Sequence, residues 1–144
     1  MGLVENAPYK EITYKIIGAA MAVHNEHGPG HREDFYHNAL ALKLPVEPFS
    51  LSFEDERQLP VYDPDGRLIY VYRPDFLVEA GVIVEIKAHH HPLNNDEKAQ
   101  VLDYFAASDF NVALLINFGR PRLDWQRLFP PKHIQERRKR KTQP

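Results

Sequence analysis

The run Val82-Ile83-Val84-Glu85-Ile86-Lys87-Ala88 sets two charges in an otherwise apolar segment. Side chains alternate along a strand, so Val82, Val84, Ile86 and Ala88 share one face while Ile83, Glu85 and Lys87 share the other. Glu85 and Lys87 then stand on the same side, roughly 6.5 Å apart along the chain. Asp75 joins them by a count of register. If Glu79-Ala80-Gly81 is a three-residue hairpin loop with Gly81 left-handed, Val78 pairs with Val82 and Asp75 falls opposite Glu85. Directly opposed residues have Cβ atoms about 4.5–5.5 Å apart. Two carboxylates held that close repel each other. A divalent cation turns the repulsion into an oxygen-rich site suited to Mg²⁺ or Mn²⁺. The competing reading is an ordinary ion pair of Lys87 with either acid on a solvated face. A two-residue loop would shift the register by one and separate Asp75 from Glu85.

Several elements are needed to hold these residues. Residues 9–24 read as a helix, with Ile12, Ile16, Ala19, Ala20 and Val23 spaced by threes and fours on one face. Gly28-Pro29-Gly30 ends it. A second helix is expected over 31–44, with Phe35, Ala39 and Leu42 in one stripe and Tyr36, Leu40 and Leu44 beside it; Pro45 and Pro48 close it. Phe49, Leu51 and Phe53 alternate as in a half-buried strand, and Leu59 to Tyr62 is a second short one. Asp63-Pro64-Asp65-Gly66 marks a turn. Leu68 to Val78 and Val82 to Ala88 then read as strands. Residues 94–108 suggest a helix capped by Asn94 or Asn95, burying Ala99, Leu102, Phe105 and Ala106. Asn111 to Phe118 is apolar enough for a strand buried on both faces. The order is α-α-β-β-β-β-α-β: an α/β fold with a mixed sheet, flanking helices and a helical crossover. One domain over 9–130 followed by a flexible basic tail over 131–144 accounts for the chain.

Composition narrows the chemistry. The 144 residues suffice for one domain with a real core. With no cysteine, disulfides, thiolate metal sites and a cysteine nucleophile are excluded. The longest uncharged apolar run, Ile16 to Val23, falls far short of the ~20 residues of a membrane span. The first residues lack the basic start and apolar core of an export signal, and the expected location is cytoplasmic. No Gly-rich phosphate loop or nucleophilic-serine setting is present. The net charge is −2, but Lys132 to Lys141 carries +5 and the remainder −7. An acidic body does not attract nucleic acid by bulk charge, so a local patch, the tail or bound cations must do so.

Other candidates divide between chemistry and structure. Glu33 sits in the first turn of its helix, where the helix dipole favours any acid. Tyr36 shares its face and is a candidate for substrate contact, although an aromatic there is more often core. His24 and His27 suit a helix C-terminus, His37 is expected at the surface, and Trp125 and Phe129 are expected to anchor the last segment. His89-His90-His91-Pro92 could add metal ligands or bind zinc. A solvated strand end is the favoured reading, because sequential histidines alternate sides and cannot all reach one ion.

Arg73-Pro74-Asp75 followed by Glu85-Ile86-Lys87 resembles the PD-(D/E)xK nuclease signature in order and spacing. Gly30-His31-Arg32-Glu33-Asp34-Phe35-Tyr36 fits the pattern of that superfamily's GxxExxY branch, as do the lead-in Val23 to Gly30 and the close Leu114-Leu115-Ile116-Asn117-Phe118-Gly119. The likeness runs from about Tyr9 to Phe129. It implies a restriction-endonuclease-like core and a metal-dependent phosphodiester hydrolase acting on nucleic acid, DNA before RNA. Carried over by resemblance, Asp75 and Glu85 bind Mg²⁺ or Mn²⁺, Glu33 completes the metal site, and Lys87 steadies the attacking water or the developing phosphate charge. Gln100 matches a polar position near the site, and Tyr104, one turn on, is a second candidate for substrate contact. Cutting both strands would call for two copies, which suits a homodimer. The alternative function is a nuclease-fold module that binds nucleic acid or a protein partner without cutting.

Overall fold

The computed structural model describes residues 7–142. Helix α1 (Ala7–His27) buries Ile16, Ala19, Ala20 and Val23 and ends where Gly28, at φ 69°, returns its N–H to the His24 carbonyl. Helix α2 (Glu33–Lys43) opens on two acids and buries Tyr36, Leu40 and Leu44, whereas Leu42 from the neighbouring stripe is 76% exposed. The two stripes adjoin on the helix surface, and spacing alone does not say which one turns to the core.

Strand β1 is Phe53–Asp55, later than the expected Phe49 to Phe53. The run expected as one strand from Leu68 to Val78 is broken at Arg73-Pro74-Asp75. Its first part, β3 (Leu68–Tyr72), pairs with β2 (Leu59–Tyr62) in a separate two-stranded sheet. Its second part, β4 (Phe76–Val78), enters the main sheet. A proline has no N–H to give to a ladder, so strand pairing stops there. The main sheet has the order β1-β4-β5-β6-β7, with β5 (Val82–Lys87) parallel to β6 (Val112–Asn117) and its other neighbours antiparallel. Helix α3 (Asn95–Ala106) connects β5 to β6 and starts with a reciprocal cap between Asn94 and Glu97. It buries Val101, Tyr104 and Phe105, not the expected Ala99 and Ala106.

The sheet separates two apolar layers. Val82, Val84, Ile86, Leu114 and Ile116 face α1 and α2, while Ile83, Ala113 and Leu115 face α3. This mixed sheet covered by helices on both sides is the α/β, restriction-endonuclease-like architecture expected. Two elements extend the expected order: β7 (Asp124–Leu128) and α4 (Lys132–Thr142). The stretch expected to be a flexible tail is therefore helical over 132–142. Ile134 is buried beside α3, and the Arg138 guanidinium donates to the carbonyls of Phe105 and Phe110 and to Asn111 Oδ1. Trp125 and Phe129, the expected anchors, are 39% and 45% exposed. Among the described residues no helix is long and apolar enough to cross a membrane.

Candidate active site

The β4–β5 hairpin keeps the register that brings the acids together. Val78 pairs with Val82, Leu77 with Ile83 and Phe76 with Val84, which puts Asp75 beside Glu85. The loop reaches this register differently from expectation. The left-handed angles fall on Glu79 and Ala80, at φ 51° and 52°, not on Gly81. The Tyr9 ring explains the glycine: a Cβ at position 81 would lie 2.5 Å from it.

Asp75 is anchored on three sides. Its Oδ2 accepts from the Ile86 N–H at 2.8 Å, its carbonyl accepts from the Glu56 N–H at 2.9 Å, and its Oδ1 lies 2.7 Å from His37 Nδ1. The Asp75 N–H approaches Glu85 Oε1 at 3.4 Å. Glu85, 6% exposed, is the buried acid of the group. Burial pushes its carboxyl up to about 8, and Asp75 adds to the rise, while Lys87 and a hydrogen bond from the Tyr104 hydroxyl act against it. Lys87 Nζ lies 3.6 Å from Glu85 Oε2 and donates to Gln100 Oε1 at 2.9 Å, so an acid and an amide hold the ammonium.

Glu33, at the start of α2, lies within electrostatic reach. Burial raises its carboxyl, with Lys87 pulling the other way and Asp75 reinforcing the rise. Tyr104 is 2% exposed and lies behind Glu85 on α3; burial and the Glu85 charge push its hydroxyl upward. Expected to contact substrate, its hydroxyl is instead engaged by the Glu85 carboxylate and its ring is packed in the apolar layer between α3 and the sheet. Tyr36 is fully buried on the other layer. Its hydroxyl donates to the Gly28 carbonyl at 2.5 Å, and its ring stacks on Phe118 at 4.7 Å. The expectation of substrate contact fails for it, since the ring belongs to the core between α2 and the sheet.

His37 is the residue that the sequence reading missed. It is only partly exposed, stacks on Phe76 at 4.4 Å and bridges two acids, with Nε2 2.7 Å from Asp55 Oδ1 and Nδ1 on Asp75. Burial lowers its affinity for a proton, but the hydrogen bonds to Asp75 and Asp55 outweigh that and raise it. The available signal was its position four residues after Glu33, one turn on along the same helix face. Glu33, Asp34, His37, Asn38, Asp55, Glu56 and Asp75 line an open cavity of about 400 Å³.

These donors fit a hard divalent cation. Two neighbouring carboxylates, one of them driven toward its protonated form by burial and by the other's charge, gain most from a cation that replaces the proton. The cavity's five acids would also repel a phosphodiester unless their charge were offset.

Comparison with known proteins adds three findings. A model of the PD-(D/E)XK nuclease superfamily matches residues 10–128. No curated protein matches the chain. A solved structure, the crystal structure of SSO0001, is similar at 16% identity and a TM-score of 0.51, over 98% of this chain and 70% of that one. That likeness concerns the fold alone.

Proposed function

This chain belongs to the PD-(D/E)XK nuclease superfamily, and on that basis we propose that it hydrolyses phosphodiester bonds in nucleic acid, DNA in preference to RNA, with Mg²⁺ or Mn²⁺ held by Asp75 and Glu85. The Gly30–Tyr36 motif, which fits the GxxExxY pattern, supports assigning it within the superfamily to that branch as part of the same proposal. The observation that carries the proposal is the pairing of Asp75 with a Glu85 whose carboxyl is raised to about 8, beside a Lys87 held by two partners.

A bound divalent cation would supply Lewis-acid polarisation of a phosphoryl oxygen. The chain's own groups do the rest. Lys87 presents a fixed ammonium to the attacking water or the charge developing on phosphate. Gln100 positions Lys87. The Tyr104 hydroxyl and Asp75 set the charge state of Glu85. His37 holds Asp75 in place from the side of Asp55, and Glu33 offers a further carboxylate at the mouth of the cavity.

The test is cleavage of supercoiled plasmid, single-stranded DNA, branched DNA and RNA with Mg²⁺, Mn²⁺ or EDTA. Cutting of a DNA substrate that stops with EDTA supports the proposal. The absence of cutting on every substrate, with no Mg²⁺ or Mn²⁺ binding by calorimetry, contradicts it and leaves a binding module.

A further inference from the structure

The histidine run after β5 is not a simple solvated strand end. His89 and His91, two residues apart, lie on the same side with their rings stacked at 3.6 Å and 13° between planes. His90 is exposed and takes no part. His89 Nε2 meets Glu97 Oε2 from the first turn of α3. The Glu97 carboxylate is already divided: Oε1 accepts from the Asn94 N–H at 3.1 Å to cap the helix, and Oε2 turns to the histidines.

Backbone contacts select the tautomers. His89 Nδ1 lies 2.9 Å from the His91 carbonyl, and His91 Nδ1 lies 2.9 Å from the Pro92 carbonyl. A carbonyl only accepts, so the Pro92 contact puts the proton of His91 on Nδ1 and leaves its Nε2 a lone pair; His89 Nε2 faces the Glu97 carboxylate, which also only accepts, so in the metal-free chain that nitrogen carries a proton that a cation would displace. An Nδ1–H on a backbone carbonyl is the usual orienting contact of a histidine that binds metal through Nε2. The loop itself is clamped. Asn117, fully buried at the end of β6, donates to the carbonyls of His89 and His91 at 3.1 and 3.0 Å and accepts from the His89 N–H at 3.1 Å. The frame that presents both imidazoles is therefore built into the core and not left to solvent.

We infer that His89 Nε2, His91 Nε2 and Glu97 Oε2 form a binding site for a zinc-type divalent cation, separate from the Asp75–Glu85 pair. One donor atom from each residue lies within 4.8 Å of the others. Stacked rings cannot both aim a lone pair at one ion, so the exposed His91 ring turns out of the stack on binding, which brings the donors to the about 3.4 Å spacing that metal–ligand bonds of ~2.0–2.1 Å require in a tetrahedron. Two imidazoles and one carboxylate leave a fourth position open for water or a phosphate oxygen, the arrangement of reactive rather than purely structural zinc sites. Nitrogen donors select zinc or a neighbouring transition metal over Mg²⁺, whereas the Asp75–Glu85 pair offers only oxygen. The two sites are neighbours, since Glu97 lies one turn from Gln100 on α3 and the Glu33 carboxyl feels the charges of both groups. The inference does not rest on nuclease activity.

The test is calorimetric titration of the metal-stripped full chain with Zn²⁺ in excess Mg²⁺, alongside Co²⁺ followed by visible absorption. One saturable equivalent of Zn²⁺ and a Co²⁺ band of four- or five-coordinate strength are expected. His91→Gln, at an exposed position and with its fold checked by circular dichroism, should weaken Zn²⁺ binding on the order of tenfold or more. Asp75→Asn should leave it unchanged. Several weak, unsaturating equivalents would overturn the inference. So would binding lost in Asp75→Asn but kept in His91→Gln, or no binding, which would reduce the group to a His89–Glu97 ion pair.

Discussion

Glu85 ties folding to the site's chemistry. In the metal-free protein its carboxyl is raised from 4.5 to about 8 by burial and by Asp75. The unfolded chain therefore releases the proton at lower pH than the folded one. The sign follows from linkage: the folded state binds more protons between these values, so stability falls as pH rises from about 4.5 to about 8 and levels off above. His37, raised above 6.5 by Asp75 and Asp55, contributes stability that is full below 6.5 and is lost as pH rises through its folded value, in the same direction. Thermal melts in EDTA should show Tm falling across this window, and Glu85→Gln should flatten the fall; a wild-type Tm that rises with pH would contradict the assignment. The trio Asp75, Glu85 and Lys87 was legible in the sequence because charges in an apolar strand have few explanations. His37 and Asp55 were not, since their meeting spans 18 residues and depends on how α2 crosses the sheet edge.

At the scale of elements, the hairpin shows how a correct register can arise from a different turn. Val78 faces Val82 as the count required, yet the left-handed residues are Glu79 and Ala80. The Tyr9 ring that makes position 81 a glycine comes from α1, which no local pattern reveals. A second glycine has a measurable role. A Cβ on Gly119 would lie 2.4 Å from His89 N and 2.7 Å from Ala88 C, both backbone atoms that cannot yield cheaply. Gly119→Ala should therefore lower the unfolding free energy by about 1–3 kcal/mol in urea denaturation. An unchanged midpoint would mean that the contact between the β5 and β6 ends is looser than described. The helix stripes of α2 and α3 were legible in period but not in phase, because Tyr36 and Tyr104 point into layers that other elements define.

At the scale of the molecule, the helical layers and mixed sheet follow from the alternation of apolar periods, while β7 and α4 do not. β7 is half-exposed and short, and α4 is highly charged, so neither carries the apolar pattern that marks a buried element. Ile134 is the one apolar residue that ties α4 to the core beside Val101 and Phe105. Ile134→Ala should cost about 2–5 kcal/mol by urea denaturation, whereas a detached basic tail would give no change. The acidic body was visible in the charge distribution, and its consequence is local: five of its carboxylates line one cavity, which repels phosphate unless their charge is offset.

On the proposed function, Lys87, fixed between Glu85 and Gln100, acts on the phosphodiester while the acids hold the cation. The most direct measurement is the single-turnover rate of DNA cleavage by wild type and Lys87→Ala at saturating Mn²⁺, with metal affinity measured on both. A loss on the order of a hundredfold or more in rate is expected, with Mn²⁺ still bound and the fold intact. Equal rates in the two proteins would contradict it.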